Sequence, residues 1–167
     1  MAFQIIFQMD LTGDKVNAVV ARFQDLRLAN KDAAQFAEAM AVGAAGAQEE
    51  SDAMVRKAAQ HWKLERLLSV DRAILRLGIY ELAHCPSSPV EVVLDECIEL
   101  AKLYGSDESA AFVNGLLDSL VKQLRPDEMP ALEAKRPKKA VPATPKSTAI
   151  PRRKVAKTVA KTKAAGR

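Results

Sequence analysis

Hydrophobic residues recur at helical spacing between Ser69 and Pro126, and this stretch predicts three consecutive helices. The first helix ends before Pro86, because proline cannot continue a helix. Its apolar stripe comprises Val70, Ile74, Leu75, Gly78, Ile79 and Leu82. Leu77 and Tyr80 lie off that stripe, so the helix is apolar over more than half of its surface. Such a helix is typical of the centre of a bundle.

The second and third helices have their own start and stop signals. Ser88, Pro89 and Glu91 predict a capping box with proline at the first helical position. Gly105 predicts a left-handed residue at the end of the second helix, and Ser106 with the next residue predicts the start of the third. The apolar stripes are Val90, Val93, Leu94, Cys97, Ile98, Ala101 and Tyr104, and then Val113, Leu116, Leu117, Leu120, Val121 and Leu124.

Shorter helical patterns precede this stretch. They cover Met1–Met9, which has Phe3, Ile6 and Phe7 on its apolar side, then the region around Val16 to Phe23, Lys31–Ala45, and Glu49–Trp62. In the third of these patterns we predict that the inward residues are Ala33, Phe36, Ala37, Met40 and Ala44. Gly43 is expected to permit close helix packing or a bend. Little β-branched alternation in an Ala- and Leu-rich chain indicates an all-α fold.

The composition changes after Pro126. Residues 127–167 are rich in Lys, Pro and Ala and almost lack large apolar side chains, so we predict a disordered tail. From Arg125 onward there are 13 Lys and Arg against 3 Asp and Glu, which leaves 12 against 18 in the preceding part. The bundle is therefore acidic and the tail basic, which points to an anionic partner for the tail.

Residue types that carry catalysis occur here without the patterns that catalysis needs. His84, Cys85 and Cys97 match no zinc spacing, and Cys97 lies on an apolar stripe, so we interpret it as a core thiol. Asp95, Glu96 and Glu99 lack a nucleophile or glycine loop and are expected on a solvated or partner-facing surface. We therefore predict no enzyme activity and no cofactor. Two cysteines and the absence of a membrane-length apolar run indicate a cytoplasmic protein.

The words "DRAILRLGIYEL" (Asp71–Leu82), "SPVEVVLDECIELAKLYG" (Ser88–Gly105) and "FVNGLLD" (Phe112–Asp118) resemble the transcription antitermination factor family NusB in order and spacing. A weaker similarity covers Ala2–Asp14. The resemblance implies a helical bundle of residues 1–126, with two packed subdomains of about 1–62 and 63–126. It also implies binding of boxA RNA in nascent ribosomal RNA transcripts, jointly with the ribosomal protein NusE, and assembly with the RNA polymerase antitermination complex.

By the same resemblance, RNA runs over the first helix and the junction at Gly105. The positions that match are Phe7, Asp71, Arg72, Arg76, Tyr104, Glu108 and Phe112. Exposed aromatic rings would stack on unpaired bases. Arg72 and Arg76, one helical turn apart, would reach neighbouring phosphates. Periodicity alone instead assigns Tyr104 and Phe112 to the core, and both interpretations stay open from the sequence.

Two alternatives accompany this prediction. NusB-like domains also precede the catalytic domain of some ribosomal RNA cytosine methyltransferases, so the chain could be a truncated part of one. A third hypothesis is a module that sequesters NusE without specific RNA binding. Its support is that the arginine-rich turn, which family members carry before the first helix, is absent here. We expect an upstream in-frame extension to encode that turn. Family members occur as monomers and as homodimers.

Overall fold

The three helices predicted between Ser69 and Pro126 are present in the computed structural model, which describes residues 1–23, 30–59 and 64–128. Within these residues the elements are helical and no strand occurs. The helices are α1 (Ala2–Thr12), α2 (Val16–Ala21), α3 (Lys31–Gly46), α4 (Gln48–Ala58), α5 (Ser69–His84), α6 (Val90–Tyr104) and α7 (Ser109–Leu124), with 3-10 turns at Leu64–Arg66 and Pro126–Glu128. The predictions for Trp62 and for the tail beyond Glu128 lie outside the described residues.

Helix α5 is the central helix, as its broad apolar surface predicts. Every residue from Ala73 to Ile79 is buried, and α5 packs against α1, α3, α4, α6 and α7. Buried side chains from Phe3 in α1 to Val121 in α7 form one hydrophobic cluster. This cluster includes residues from both predicted subdomains, on either side of residues 60–63.

The predicted capping box at the start of α6 is wrong. Pro89 is the N-cap residue, and the hydroxyl of Ser88 donates to Oε1 of Glu81 at 2.8 Å. The first amide of the helix, on Val90, donates to Oε2 of Glu128 at 3.4 Å. A carboxylate from beyond α7 occupies this helix N-terminus, because the Pro126–Glu128 turn packs against it. A long-range partner of this kind leaves no local signal.

The predicted left-handed conformation of Gly105 is also wrong. Its φ is −92° and its ψ −167°, which any residue can adopt. Close packing requires the glycine instead, because an added Cβ would lie 2.5 Å from the side chain of Ser109 and 2.6 Å from the carbonyl oxygen of Ala101. The amide of Ser106 donates to Oγ of Ser109 at 2.9 Å, so the junction folds tightly before α7 begins.

The face of α3 that turns inward differs partly from the prediction. Met40 and Ala44 are buried as expected, but Phe36 is 62% exposed and Ala33 is exposed as well. Ala34 and Ala41 take their places in the interior. The helix is so rich in alanine that its small apolar residues fit either face, and the one large ring biased the prediction.

Candidate RNA-binding surface

Three aromatic rings from α1 and α6 meet beside the α6–α7 junction. The rings of Phe3 and Phe7 are stacked with centroids 5.8 Å apart, and those of Phe3 and Tyr104 lie 5.1 Å apart. Phe3 is buried, Phe7 is half-buried, and Tyr104 is 45% exposed. The structure therefore brings together two predicted site residues, Phe7 and Tyr104, through a third ring that the sequence placed only on an apolar face.

The start of α7 places two more predicted residues at the same junction. Glu108 is the N-cap residue and is exposed, and its carbonyl oxygen accepts from the amide of Phe112 at 3.0 Å. Phe112 is half-buried and packs against the hydrophobic core. The side chain of Glu108 is therefore available to a ligand. The side chain of Phe112 is partly packed against the core and partly exposed to solvent.

Asp71, in the first turn of α5, lies beneath the junction. The residue is 6% exposed, and its Oδ1 has no hydrogen-bond partner among the described residues. Burial raises the pKa of this carboxyl, and a hydrogen bond with the side chain of Ser109 offsets part of that effect. An acceptor atom without a partner is costly in a protein interior, so Asp71 is the least satisfied polar group of the predicted site.

Arg72 and Arg76 are paired with carboxylates. Arg72 donates through Nε to Asp10 at 3.1 Å, and Arg76 donates through Nη1 to the same carboxylate at 2.8 Å. Arg76 also binds both oxygens of Asp52, at 2.7 and 2.8 Å. The side chain of Arg76 is only 6% exposed and that of Arg72 18%. Both arginines were predicted to contact phosphate. Neither guanidinium group is free in the structure, because Asp10 and Asp52 pair with them.

The charges of this cluster support one another. Burial disfavours ionisation of Asp10, but hydrogen bonds and charge attraction from Arg72 and Arg76 outweigh it and lower the pKa of Asp10. Burial likewise opposes the charge of Arg76, and its bonds to Asp52 and Asp10 outweigh that effect and raise its pKa. Sequence analysis overlooked Asp10 and Asp52. The available signal was that Phe3, Phe7 and Asp10 share one face of α1.

The described residues offer no group of three His, Cys, Asp or Glu placed to hold a metal ion. Cys97 is the core thiol that the sequence predicts, being 3% exposed, and burial raises its pKa to about 12. In the part of the chain that the structure describes, none of the helices has the length and apolar character needed to cross a membrane.

An all-helical bundle with aromatic rings gathered at one helix junction is typical of helical binding proteins, and the comparisons agree. The model of the NusB family matches residues 1–122. A transcription antitermination protein NusB of Sorangium cellulosum is 42% identical over 123 residues, which cover 74% of this chain and 88% of that protein. One of Bacillus subtilis is 39% identical over 119 residues, with 71% and 88% covered. The chain belongs to the NusB family.

Solved structures give the same result. A structure of T. maritima NusB matches with a TM-score of 0.70 and 31% identity, covering 77% of this chain and 92% of that one. A crystal structure of the antitermination factors NusB and NusE in complex with double-stranded RNA matches with a TM-score of 0.67 and 30% identity, covering 73% and 91%. The predicted fold, an all-α NusB-like bundle, is thereby confirmed.

Proposed function

We propose that this chain is a cytoplasmic transcription antitermination factor that binds boxA RNA of nascent ribosomal RNA transcripts together with NusE. The complex would then join the RNA polymerase antitermination complex. The observation that carries the proposal is the match of its fold to a NusB that was crystallised with NusE and RNA. Its relatives from Sorangium cellulosum and Bacillus subtilis are named for antitermination, and neither name describes a methyltransferase.

The surface proposed for RNA is the one at the α6–α7 junction. Tyr104 offers an exposed ring for base stacking, and Phe7 and Phe112 add half-buried rings beside it. Glu108 is exposed and carries acceptor oxygens, which suit amino groups of bases rather than phosphates, whereas Asp71 is buried beneath it. Arg72 contributes its partly exposed edge, and Arg76 supports it from the interior.

This surface has little positive charge for the RNA backbone. Its two arginines are balanced by Asp10 and Asp52, and the residues before Arg125 carry 18 acidic against 12 basic side chains. Electrostatic attraction to phosphate must therefore come from elsewhere. A basic partner bound beside the surface, or the basic residues after Glu128, would supply it. This charge balance supports joint binding with NusE, and the bundle without the tail or a basic partner is expected to hold RNA weakly.

The same observation favours a second candidate function. If no other cations compensate for the paired arginines, the chain would bind NusE without reading RNA and would act as a sequestering module. The two functions differ in one measurable respect. A sequestering module binds NusE with the same affinity whether or not boxA RNA is present, whereas an antitermination factor binds NusE and boxA RNA with mutual reinforcement.

Substitution at Tyr104 tests the proposed RNA surface. Tyr104→Ala should weaken binding of boxA RNA in the presence of NusE by about 1 to 3 kcal/mol, the usual contribution of one stacked base. Leu103→Ala is the matched control, because Leu103 is the neighbouring residue and is 72% exposed. Anisotropy of a labelled RNA measures both. Equal affinities of the two variants and the unmodified chain would remove Tyr104 from the RNA surface.

A further inference from the structure

We propose that Phe3 and Asp10 are positioning residues, which hold α1 against α5 and α6 so that Phe7 and Tyr104 form one preformed surface for RNA bases. This inference rests on the proposed function and adds to it two side chains that lie beneath the surface. Phe3 acts through ring packing and Asp10 through ion pairs. Neither needs to touch the RNA.

The ring of Phe3 lies between α1 and the end of α6. It is 4% exposed, so its faces are taken up by protein. It contacts Phe7 at a centroid distance of 5.8 Å and Tyr104 at 5.1 Å, both within the range of favourable aromatic pairs. Tyr104 is the last residue of α6 and is 45% exposed. Without the ring of Phe3, this terminal side chain would lose its aromatic support.

Asp10 fixes the same helix at its other end. It lies one helical turn beyond Phe7 on the same face of α1 and accepts hydrogen bonds from Arg72 and Arg76 of α5. Arg76 is held in turn by both oxygens of Asp52 in α4, at 2.7 and 2.8 Å. Hydrogen-bonded arginine–carboxylate pairs constrain orientation as well as distance. The carboxylate of Asp10 therefore fixes the rotation of α1 about its axis, and with it the direction of Phe3 and Phe7.

A preformed aromatic surface binds bases more tightly than a mobile one. Each side chain that must be ordered on binding reduces the affinity, because its rotamer freedom is lost in the complex. If Phe3 or Asp10 no longer held the rings in place, Phe7 and Tyr104 would have to lose rotamer freedom when RNA binds. We expect boxA RNA to bind about threefold to tenfold more weakly to such a variant in the presence of NusE.

Fluorine NMR of the chain labelled with 3-fluorotyrosine reports the position of Tyr104 directly. The chain has two tyrosines, and Tyr80 packs on the ring of His84 at 5.0 Å and against Gly43 of α3, so its resonance is an internal reference. A Tyr104→Phe sample assigns the two signals. The test variants are Phe3→Leu, which keeps apolar volume, and Asp10→Asn, which keeps shape but removes the charge.

Two control variants match them on the same segment. Leu11→Ala truncates a side chain of α1 that is 60% exposed. Asp14→Asn removes a carboxylate that pairs with Arg22 at 2.6 Å, and this side chain is 38% exposed, against 10% for Asp10. All samples are compared at a temperature where circular dichroism shows them folded. Should Asp10→Asn fail to fold, Phe3→Leu carries the test alone.

The proposal predicts that both test variants shift or broaden the Tyr104 resonance, leave the Tyr80 resonance in place and weaken RNA binding, while both controls behave like the unmodified chain. An unchanged Tyr104 resonance together with unchanged RNA affinity in Phe3→Leu would overturn it. The proposed function fails in a different way. In that case boxA RNA with NusE would leave the Tyr104 resonance of the unmodified chain unmoved, whatever Phe3 and Asp10 do.

Discussion

The guanidinium group of Arg125 donates through Nε to the carbonyl oxygen of Leu82 at 2.8 Å, which joins the end of α7 to the last turn of α5. The other nitrogens of Arg125 donate to the carbonyl oxygens of Glu81, Cys85 and Ser88 at 3.1, 2.7 and 2.6 Å. A positive charge at a helix C-terminus satisfies carbonyl groups that have no partner within the helix. The charge count in the sequence analysis added Arg125 to the basic tail, but this residue is 9% exposed and holds the bundle together.

Replacing Arg125 by alanine should therefore destabilise the fold by about 3 kcal/mol, because hydrogen bonds from a charged donor are lost and buried carbonyl groups remain without partners. The stability of Arg125→Lys should lie between those of the unmodified chain and the alanine variant, since one ammonium group cannot reach all four carbonyls. Urea unfolding monitored by circular dichroism measures the change. Lys122→Ala, on the exposed side of α7, is the control. Equal effects at the two positions would contradict the structural role of Arg125.

Gly43 in α3 and Gly115 in α7 should respond in opposite ways to alanine. A Cβ on Gly43 would lie 2.0 Å from the hydroxyl of Tyr80 and 2.2 Å from its ring, so the whole side chain must move. We expect Gly43→Ala to cost about 1 to 3 kcal/mol. Gly115, by contrast, is exposed, and a Cβ there meets nothing within 4 Å.

Gly115→Ala should accordingly stabilise the chain by about 1 kcal/mol, through helix propensity alone. Thermal unfolding of the two alanine variants measures both effects side by side. If Gly43→Ala were as stable as the unmodified chain, Tyr80 would not pack on α3 as the structure shows.

The stability of the chain should depend on pH through Asp10. Its pKa is lower in the folded chain than the ordinary value of 3.8, so the unfolded chain takes up this proton first as the pH falls. The stabilisation is thus fully present above about pH 3.8 and is lost as the pH falls through the folded pKa. Asp10→Asn should be less stable at neutral pH but lose less stability as the pH falls below about 3.8. The midpoints of urea unfolding, measured across that pH range, give the stability of both proteins. Equal losses of stability in the unmodified chain and in Asp10→Asn would show that Asp10 is not the source of the pH dependence.

The basic tail should add RNA affinity that does not depend on sequence. The test is a deletion of 129–167, which keeps Glu128 because its side chain bonds to Arg125 and to the amide of Val90. This segment holds 12 Lys and Arg against one acidic residue. Its removal should flatten the dependence of RNA affinity on salt while boxA preference stays the same.

A tail of equal length with Gln in place of every Lys and Arg is the matched control for the deletion, because it separates charge from chain length. Both forms should lose the same part of the salt dependence. Loss of boxA preference in either form would mean that the tail takes part in recognition.

Helices α5 to α7 were predictable because their stripes of Leu, Val and Ile show which face of each helix is buried. Helix α3 was not fully predictable, since alanine fits both sides and only Phe36 distinguished them, in the wrong direction. Interactions between distant parts of the chain left no local pattern at all. Asp10 and Arg76 are 66 residues apart, and Arg125 is 43 residues from Leu82.

In the candidate site, too, the positions were predictable but the long-range contacts between them were not. Its residues came from resemblance to a family, which specifies positions but not their partners. The structure adds that Phe7 and Tyr104 share the ring of Phe3, and that Arg72 and Arg76 are already paired. Charge balance within a site depends on which side chains meet, and a one-dimensional pattern does not contain that information.

Joint and sequence-dependent RNA binding can be tested in one titration. A boxA-containing oligonucleotide and a scrambled control are each titrated with the chain, with and without NusE, at a fixed salt concentration. We expect weak binding by the chain alone and, when NusE is present, a marked gain in affinity for the boxA oligonucleotide only. Binding of NusE with equal affinities for the two oligonucleotides would contradict it and would support the sequestering module.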